Sequence, residues 1–255
     1  TCSCGHKFCF QCYNDEAHEP VSCENLEKWL SKCRNDSETA HWIIANTKRC
    51  PKCNVRIEKN HGCNHMTCQS CKYDFCWVCM DEWKEHGTQT GGFYKCNRYR
   101  AKKAADAKSL KPAEKAKADL GRYLFYFQRY HNHDQSRKFA KRQNESVVKR
   151  MTTLRSGNKG SWMDVEFLQN ASLQIMECRQ ILKYTYAFGF YLSDGPEKEL
   201  FEFLQQDLEK NTEILHELSE MDVEKIDRSA VMNYTSITKK FAEALLTGIS
   251  TGLTH

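Results

Sequence analysis

The chain has 255 residues, 40% of them hydrophobic and 28% charged, with a formal net charge of +5. That length accommodates one to three domains. No stretch is apolar enough to span a bilayer, since the best candidate, Ile175 to Leu192, contains Glu177, Arg179 and Lys183. Cysteine use is uneven: of 15 cysteines only Cys178 lies beyond Cys96. The odd count and the recurrent C-x2-C pairs favour zinc in a reducing compartment, cytoplasmic or nuclear, over a disulfide scaffold. The sequence begins at Thr1-Cys2, inside a metal motif, and reads as part of a longer protein.

Residues 1–23 form a first Cys/His cluster with short strand-like pieces. Over 24–46, Leu26, Trp29, Leu30 and Cys33 recur at three- and four-residue steps, which predicts a linker helix. Residues 47–96 form a second Cys/His cluster. The remainder, 97–255, is predicted to be a bundle of four or five helices. Its apolar stripes are Leu120, Tyr123, Leu124 and Phe127, then Phe167 through Tyr186, then Phe201, Leu204, Leu208, Ile214 and Leu218. Asp194-Gly195-Pro196 marks a helix start, and a last helix is expected from Val223 to Leu246. The fold class is therefore small zinc-stabilised β/loop modules followed by an all-α bundle.

Charge is distributed unevenly as well, with a basic segment from Arg98 to Arg155 and an acidic one from Asp164 to Asp227. Two oppositely charged helical segments packing together is the expectation. Nucleic-acid binding is not expected, because the basic residues lack an aromatic platform or a recognition-helix signature.

Zinc takes four ligands in a tetrahedron, and each C-x2-C turn supplies two. Cys9 and Cys12 close with His18 and Cys23; Cys50 and Cys53 pair with Cys68 and Cys71; Cys76 and Cys79 close with His86 and Cys96. Cys2 and Cys4 make a half-site whose partners lie upstream. Three complete sites and one half-site follow, all with protein-filled coordination and so structural rather than catalytic.

Cys63 is left over, in the loop His61-Gly62-Cys63-Asn64-His65. Gly62 permits close approach of a partner to the backbone. His65 could take a proton from a thiol or an attacking amine, and Asp74 or Glu58 could orient it. The competing reading makes Cys63 a structural cysteine, or a ligand in place of Cys68.

The run Cys50-Pro-Lys-Cys53, Gly62-Cys63-Asn64-His65-Met66 and Phe75-Cys76-Trp77-Val78-Cys79 resembles the catalytic RING of RING-in-between-RING ubiquitin ligases. Residues 1–23 look like the end of the preceding in-between-RING domain. The helical part, with Tyr123-Leu124-Phe125-Tyr126, Tyr130-x-Asn132-His133 and Tyr184-Thr185-Tyr186, is similar to the Ariadne domain. The resemblance implies that Cys63 accepts ubiquitin as a thioester from a conjugating enzyme and passes it to a lysine. It places His65 as general base, and Asp74 as its supporting acid with Glu58 as the competitor. It also implies that the helical half is autoinhibitory, with Phe139, Glu202 and Glu213 near the contact. Ala140 stands where a relative has an acid, and His61 where a second glycine is common. The first RING, which binds the conjugating enzyme, is absent from the sequence. Ubiquitin, that enzyme and neddylated cullin-RING ligases are the partners implied; the alternative from another class is a non-catalytic zinc-based interaction scaffold.

Overall fold

The computed structural model describes residues 2, 6–35, 47–59, 62–86, 96, 99, 112–156, 163–221 and 225–253. Two small Cys/His modules lie against four long helices. The first module leads into α1, Cys23–Asn35. The second contains two antiparallel hairpins: β1 (Thr47–Arg49) with β2 (Arg56–Glu58), and β3 (His65–Thr67) with β4 (Asp74–Cys76). A 3-10 turn follows at Trp83–His86. The bundle comprises α2 (Pro112–Ser156), α3 (Met163–Tyr191), α4 (Pro196–Glu220) and α5 (Arg228–Thr251). Among the described residues no helix is long and apolar enough to cross a membrane.

Local chemistry sets the helix ends. Pro196 opens α4 behind Gly195, with Glu197 and Glu199 in the first turn favoured by the helix dipole. Asp227 caps α5 by accepting the Ala230 N–H at 3.0 Å, so this helix starts at Arg228 rather than Val223. It ends where Gly252 adopts a left-handed φ of 86° and its N–H bonds the carbonyls of Gly248 and Ile249. The linker helix stops at Asn35; the rest of the expected 24–46 span lies outside the described residues.

Three apolar clusters hold the bundle. α1 inserts Trp29, fully buried, among Tyr123, Tyr126, Phe127 and Tyr184. Burying such a side chain stabilises by about 2–3 kcal/mol. Cys178, Leu182, Phe201, Leu208 and Leu245 join α3, α4 and α5. Ala140, Ala171, Ile175, Leu215 and Val231 bring all four helices together. The predicted stripe along α3 is the buried one, but two details differ. Leu120 is exposed, because the bundle begins to cover α2 only at Tyr123. On α4 the predicted Leu208 is fully buried, and so is Leu215, whereas the predicted Ile214 and Leu218 beside it are partly buried.

The expected charge match between basic and acidic segments is not what joins α2 to α3. Among the described residues, the ion pair between them is Lys183–Asp134 at 2.8 Å, with the signs reversed from the segment averages. The helices meet through aromatic and small side chains, while Arg137 turns to Glu16 of the first module and Arg129 donates to the Cys96 carbonyl. Residues 97, 98 and 100–111, at the start of the basic segment, lie outside the described residues.

Candidate functional site: three ligand quartets and a clamped cysteine

Each predicted quartet is assembled: Cys9, Cys12, His18, Cys23; Cys50, Cys53, Cys68, Cys71; and Cys76, Cys79, His86, Cys96, with all ligand atoms of a set within 4.8 Å of one another. The local fold explains this. In each C-x2-C turn the residue after the second cysteine has positive φ: Tyr13 at 56°, Asn54 at 62°, Lys72 at 57° and Met80 at 68°. The first cysteine's N–H bonds the carbonyl five residues on, in Cys9–Asn14, Cys50–Val55, Cys68–Tyr73 and Cys76–Asp81. Four knuckles of one design thus aim thiols inward.

These donors suit zinc. Cross-knuckle sulfur separations of 3.6 Å (Cys53–Cys68) and 3.7 Å (Cys9–Cys23, Cys50–Cys71) are far longer than the ~2.05 Å of a disulfide. They match the edge of about 3.8 Å expected for a tetrahedron with 2.3 Å zinc–sulfur bonds. His18 Nδ1 lies 2.7 Å from the Val21 carbonyl and His86 Nδ1 3.1 Å from the Glu82 carbonyl, which turns both Nε2 atoms toward the thiols. Such sites substitute for a core: the buried apolar cluster of the second module is small, comprising Cys50, Met66, Cys68, Phe75 and Trp77. Cys2 is exposed and joins no quartet among the described residues, while Cys4 lies outside them.

Cys63 lies outside all three quartets and Cys68 is a member of the second, so the exchange of Cys63 for Cys68 is not what the fold adopts. Cys63 is buried, at 3% exposure. It borders a cleft of about 610 Å3 lined also by Glu58, His65, Glu217 and Glu220. Its sulfur accepts the His65 N–H at 3.3 Å. Burial pushes the thiol well above its ordinary pKa; the Glu213 carboxylate adds to this, the His65 N–H opposes it, and Glu217 and Glu220 raise it further.

The loop around Cys63 is held by the helices. Gly62 N–H donates to Glu220 at 2.9 Å, and its carbonyl accepts from Ser136 at 2.6 Å. Glu213 takes the Asn64 N–H and the Asn64 amide, each at 2.8 Å, and the Arg179 guanidinium at 2.6 Å. Asn132 donates to Asn64 Oδ1 at 2.8 Å. Gly62 is required here: a Cβ on it would lie 1.9 Å from the His216 ring. Glu213 is 1% exposed, and burial alone would raise its pKa. Arg179, the Asn64 N–H and Lys59 outweigh that and hold it at about 2.

The His65 ring stacks on Trp83 at 4.5 Å. Nδ1 meets Glu217 at 3.2 Å, and Nε2 lies 3.5 Å from Asp74, within ion-pair range but beyond a good hydrogen bond. Asp74 is thus the module's own acid beside His65; Glu58 lines the cleft without pairing with the ring. His61 lies outside the described residues. Of the residues that the resemblance places near the contact, Glu213 grips the loop. The partly buried Phe139 ring lies under Arg142 at 4.3 Å. Ala140 is fully buried in the four-helix cluster, where an acid would lack room and solvent.

Sequence reading missed Lys59, Asn132, Ser136, Arg179, His216, Glu217 and Glu220. A signal existed on α4, where Glu213, His216, Glu217 and Glu220 follow the i, i+3, i+4, i+7 spacing of one helix face. A polar stripe beside an apolar one implies a second, polar contact surface.

Knuckled metal modules docked on a helical bundle, with one non-ligand cysteine under the helices, define a RING-type assembly covered by a helical domain. The IBR domain family matches residues 45–92, and the Ariadne domain family matches residues 121–243. The first of these spans the Cys50/Cys53/Cys68/Cys71 quartet and all of the third quartet except Cys96. E3 ubiquitin-protein ligase dbl4 of Schizosaccharomyces pombe is 45% identical over 99% of this chain and 50% of its own length. E3 ubiquitin-protein ligase ariadne-1 of Drosophila melanogaster is 47% identical over 87% of this chain and 43% of its own length. E3 ubiquitin-protein ligase ARIH1 of Homo sapiens is 47% identical, also over 87% of this chain, and 39% of its own length. The chain belongs to the Ariadne subfamily of RING-in-between-RING proteins, and spans about half the length, or less, of these relatives.

Proposed function

We propose that this chain is the catalytic and regulatory part of a ubiquitin ligase in which Cys63 carries ubiquitin as a thioester. Residues 1–23 end an in-between-RING domain, 47–96 form the catalytic RING, and the three quartets hold structural zinc. The reading rests on one observation above all: Cys63 is excluded from every ligand set, yet sits in the cleft that also holds His65. The Cys63 thiolate attacks the carbonyl carbon of the conjugating enzyme's thioester and that enzyme's thiolate leaves. A substrate lysine amine then attacks the new thioester carbonyl, His65 takes the amine proton, and the Cys63 thiolate leaves. Asp74 positions the imidazole.

In the docked state this chemistry is held off in two ways. The loop is buried under α2 and α4, and Glu217 occupies the His65 nitrogen that an incoming amine needs. Release of the helices frees that nitrogen and leaves Asp74 in place. A neddylated cullin-RING ligase is the partner we assign to that release, in a reducing cytoplasmic or nuclear setting.

The test is a nonreducing gel with a ubiquitin-charged conjugating enzyme and the full-length protein. A thiol-sensitive ubiquitin adduct should form, vanish in Cys63→Ala, and become a thiol-resistant oxyester in Cys63→Ser. A thiol-sensitive adduct that persists in Cys63→Ala would sink the assignment in favour of a zinc scaffold with an incidental thiol.

A further inference from the structure

Lys59 follows β2 on the way into the Cys63 loop, and its ammonium lies among four acceptors. Nζ donates to Asn132 Oδ1 at 3.0 Å, Ser136 Oγ at 3.3 Å, Asn64 Oδ1 at 3.3 Å and the Gly62 carbonyl at 3.4 Å. The first two belong to α2. The other two belong to the residues on either side of Cys63. We propose that Lys59 is the positioning cation of the Cys63 loop: it ties together the two residues flanking the thiol and stays with them when the helical half lifts away. The proposal deepens the thioester reading and rests on it.

The charges facing the thiol make this more than a brace. From α4 come Glu213, Glu217 and Glu220, with the His216 ring against Gly62; from α3 comes Arg179, paired to Glu213 at 2.6 Å. Among the described residues, α2 brings the neutral Asn132 and Ser136, and the titratable His131, whose pKa burial lowers and Lys59 helps to lower. The module itself contributes Arg56 and Glu58 at the cleft, Lys59, and His65 with Asp74. Docked, three helix carboxylates oppose thiolate formation. Released, those three and Arg179 depart together, and Lys59 stays hydrogen-bonded to the loop. Burial pulls the Lys59 pKa down to about 8, against Glu213 that supports its charge; exposure removes that penalty and leaves a full cation on the residues that flank the thiol. Undocking therefore weakens the opposition to thiolate at Cys63 as well as opening access to it.

Gly62→Ala supplies the released state, because its Cβ would overlap the His216 ring while every charged group is retained. The readout is the pH profile of iodoacetamide alkylation at Cys63, followed by peptide mass spectrometry in the zinc-loaded chain. The apparent thiol pKa should fall by at least about one unit on Gly62→Ala. Adding Lys59→Met should raise it again by about half a unit or more and slow alkylation at pH 7 at least threefold. Lys59→Arg should restore the Gly62→Ala profile. An unchanged profile for Lys59→Met in the Gly62→Ala background overturns the proposal. Should Gly62→Ala not fold, the uncharged Ser136→Leu provides the release and the same comparison. Alkylation does not involve ubiquitin, so a chain whose profile shifts as expected but which forms no thioester refutes the transfer reading while supporting this role for Lys59. Ubiquitin found on Lys59 itself would overturn it, since the amine would then be an acceptor rather than a brace.

Discussion

Of the carboxylates that fasten the two metal modules to the helical half, Glu16 and Glu213 do so in different surroundings. Glu16 of the first module meets Arg137, Lys183 at 2.8 Å and the Tyr184 hydroxyl at 2.8 Å, with 26% of its side chain exposed. Glu213 of α4 meets Asn64 and Arg179 with 1% exposed. Both are held below the ordinary carboxylate pKa: burial opposes this at each, and nearby cations win. At Glu16 the cations have other partners, since Lys183 also pairs with Asp134 and Arg137 with Gln180. At Glu213 the guanidinium has His216 as its other partner and no water route. The first contact is therefore a tolerant attachment, and the second an all-or-none latch on the loop bearing Cys63.

The sharpest way to break this comparison is Glu213→Ala. It leaves Arg179 charged and buried beside a lost partner, a situation that costs about 3–5 kcal/mol. Two readouts should move together: the thermal midpoint falls and Cys63 labelling by a thiol reagent rises by at least tenfold. An unaltered labelling rate would show that Glu213 is not the latch. Protonation should do the same without mutation. Because the folded pKa of Glu213 is about 2 against an ordinary 4.5, its contribution is complete above pH 4.5 and lost as pH falls toward 2. The shift corresponds to roughly 3 kcal/mol. Acid unfolding monitored by circular dichroism should thus be shallower below pH 4.5 in Glu213→Gln than in the parent.

Glu16→Ala should cost less, about 1 kcal/mol, because the pair is partly solvated and its cations keep other acceptors. Cys63 labelling should stay at the parental rate while the first module becomes more sensitive to proteolysis. Equal effects of Glu16→Ala and Glu213→Ala on labelling would erase the distinction drawn between them.

The same contrast explains what could be read in advance. All three quartets follow from spacing, because each knuckle is closed by its own backbone within six residues, and the left-over Cys63 follows by subtraction. The helices and most of their apolar stripes were legible for the same reason, since a helix repeats locally. What holds Cys63 down is not local. Glu220 lies 158 residues from Gly62, Ser136 lies 74 away and Asn132 lies 68 from Asn64. Polar residues on a helix normally read as its solvated face, and only docking reveals that Arg179 and His216 are fully buried.

The smallest expected effect tests whether the latch is graded. Ser136→Ala removes the 2.6 Å hydrogen bond to the Gly62 carbonyl, which keeps Lys59 as a second donor at 3.4 Å and so is not orphaned. The loss is then about 1 kcal/mol, the usual net value for such a bond. Alanine favours helix over serine, so the stability of α2 should not fall. Docking and folding are thereby separated. Cys63 labelling through the opened state should rise about fivefold, with the thermal midpoint unchanged or slightly higher. A fall in the midpoint with labelling unchanged would instead place Ser136 in the bundle's own support and leave Glu213 and Glu220 as the whole of the latch.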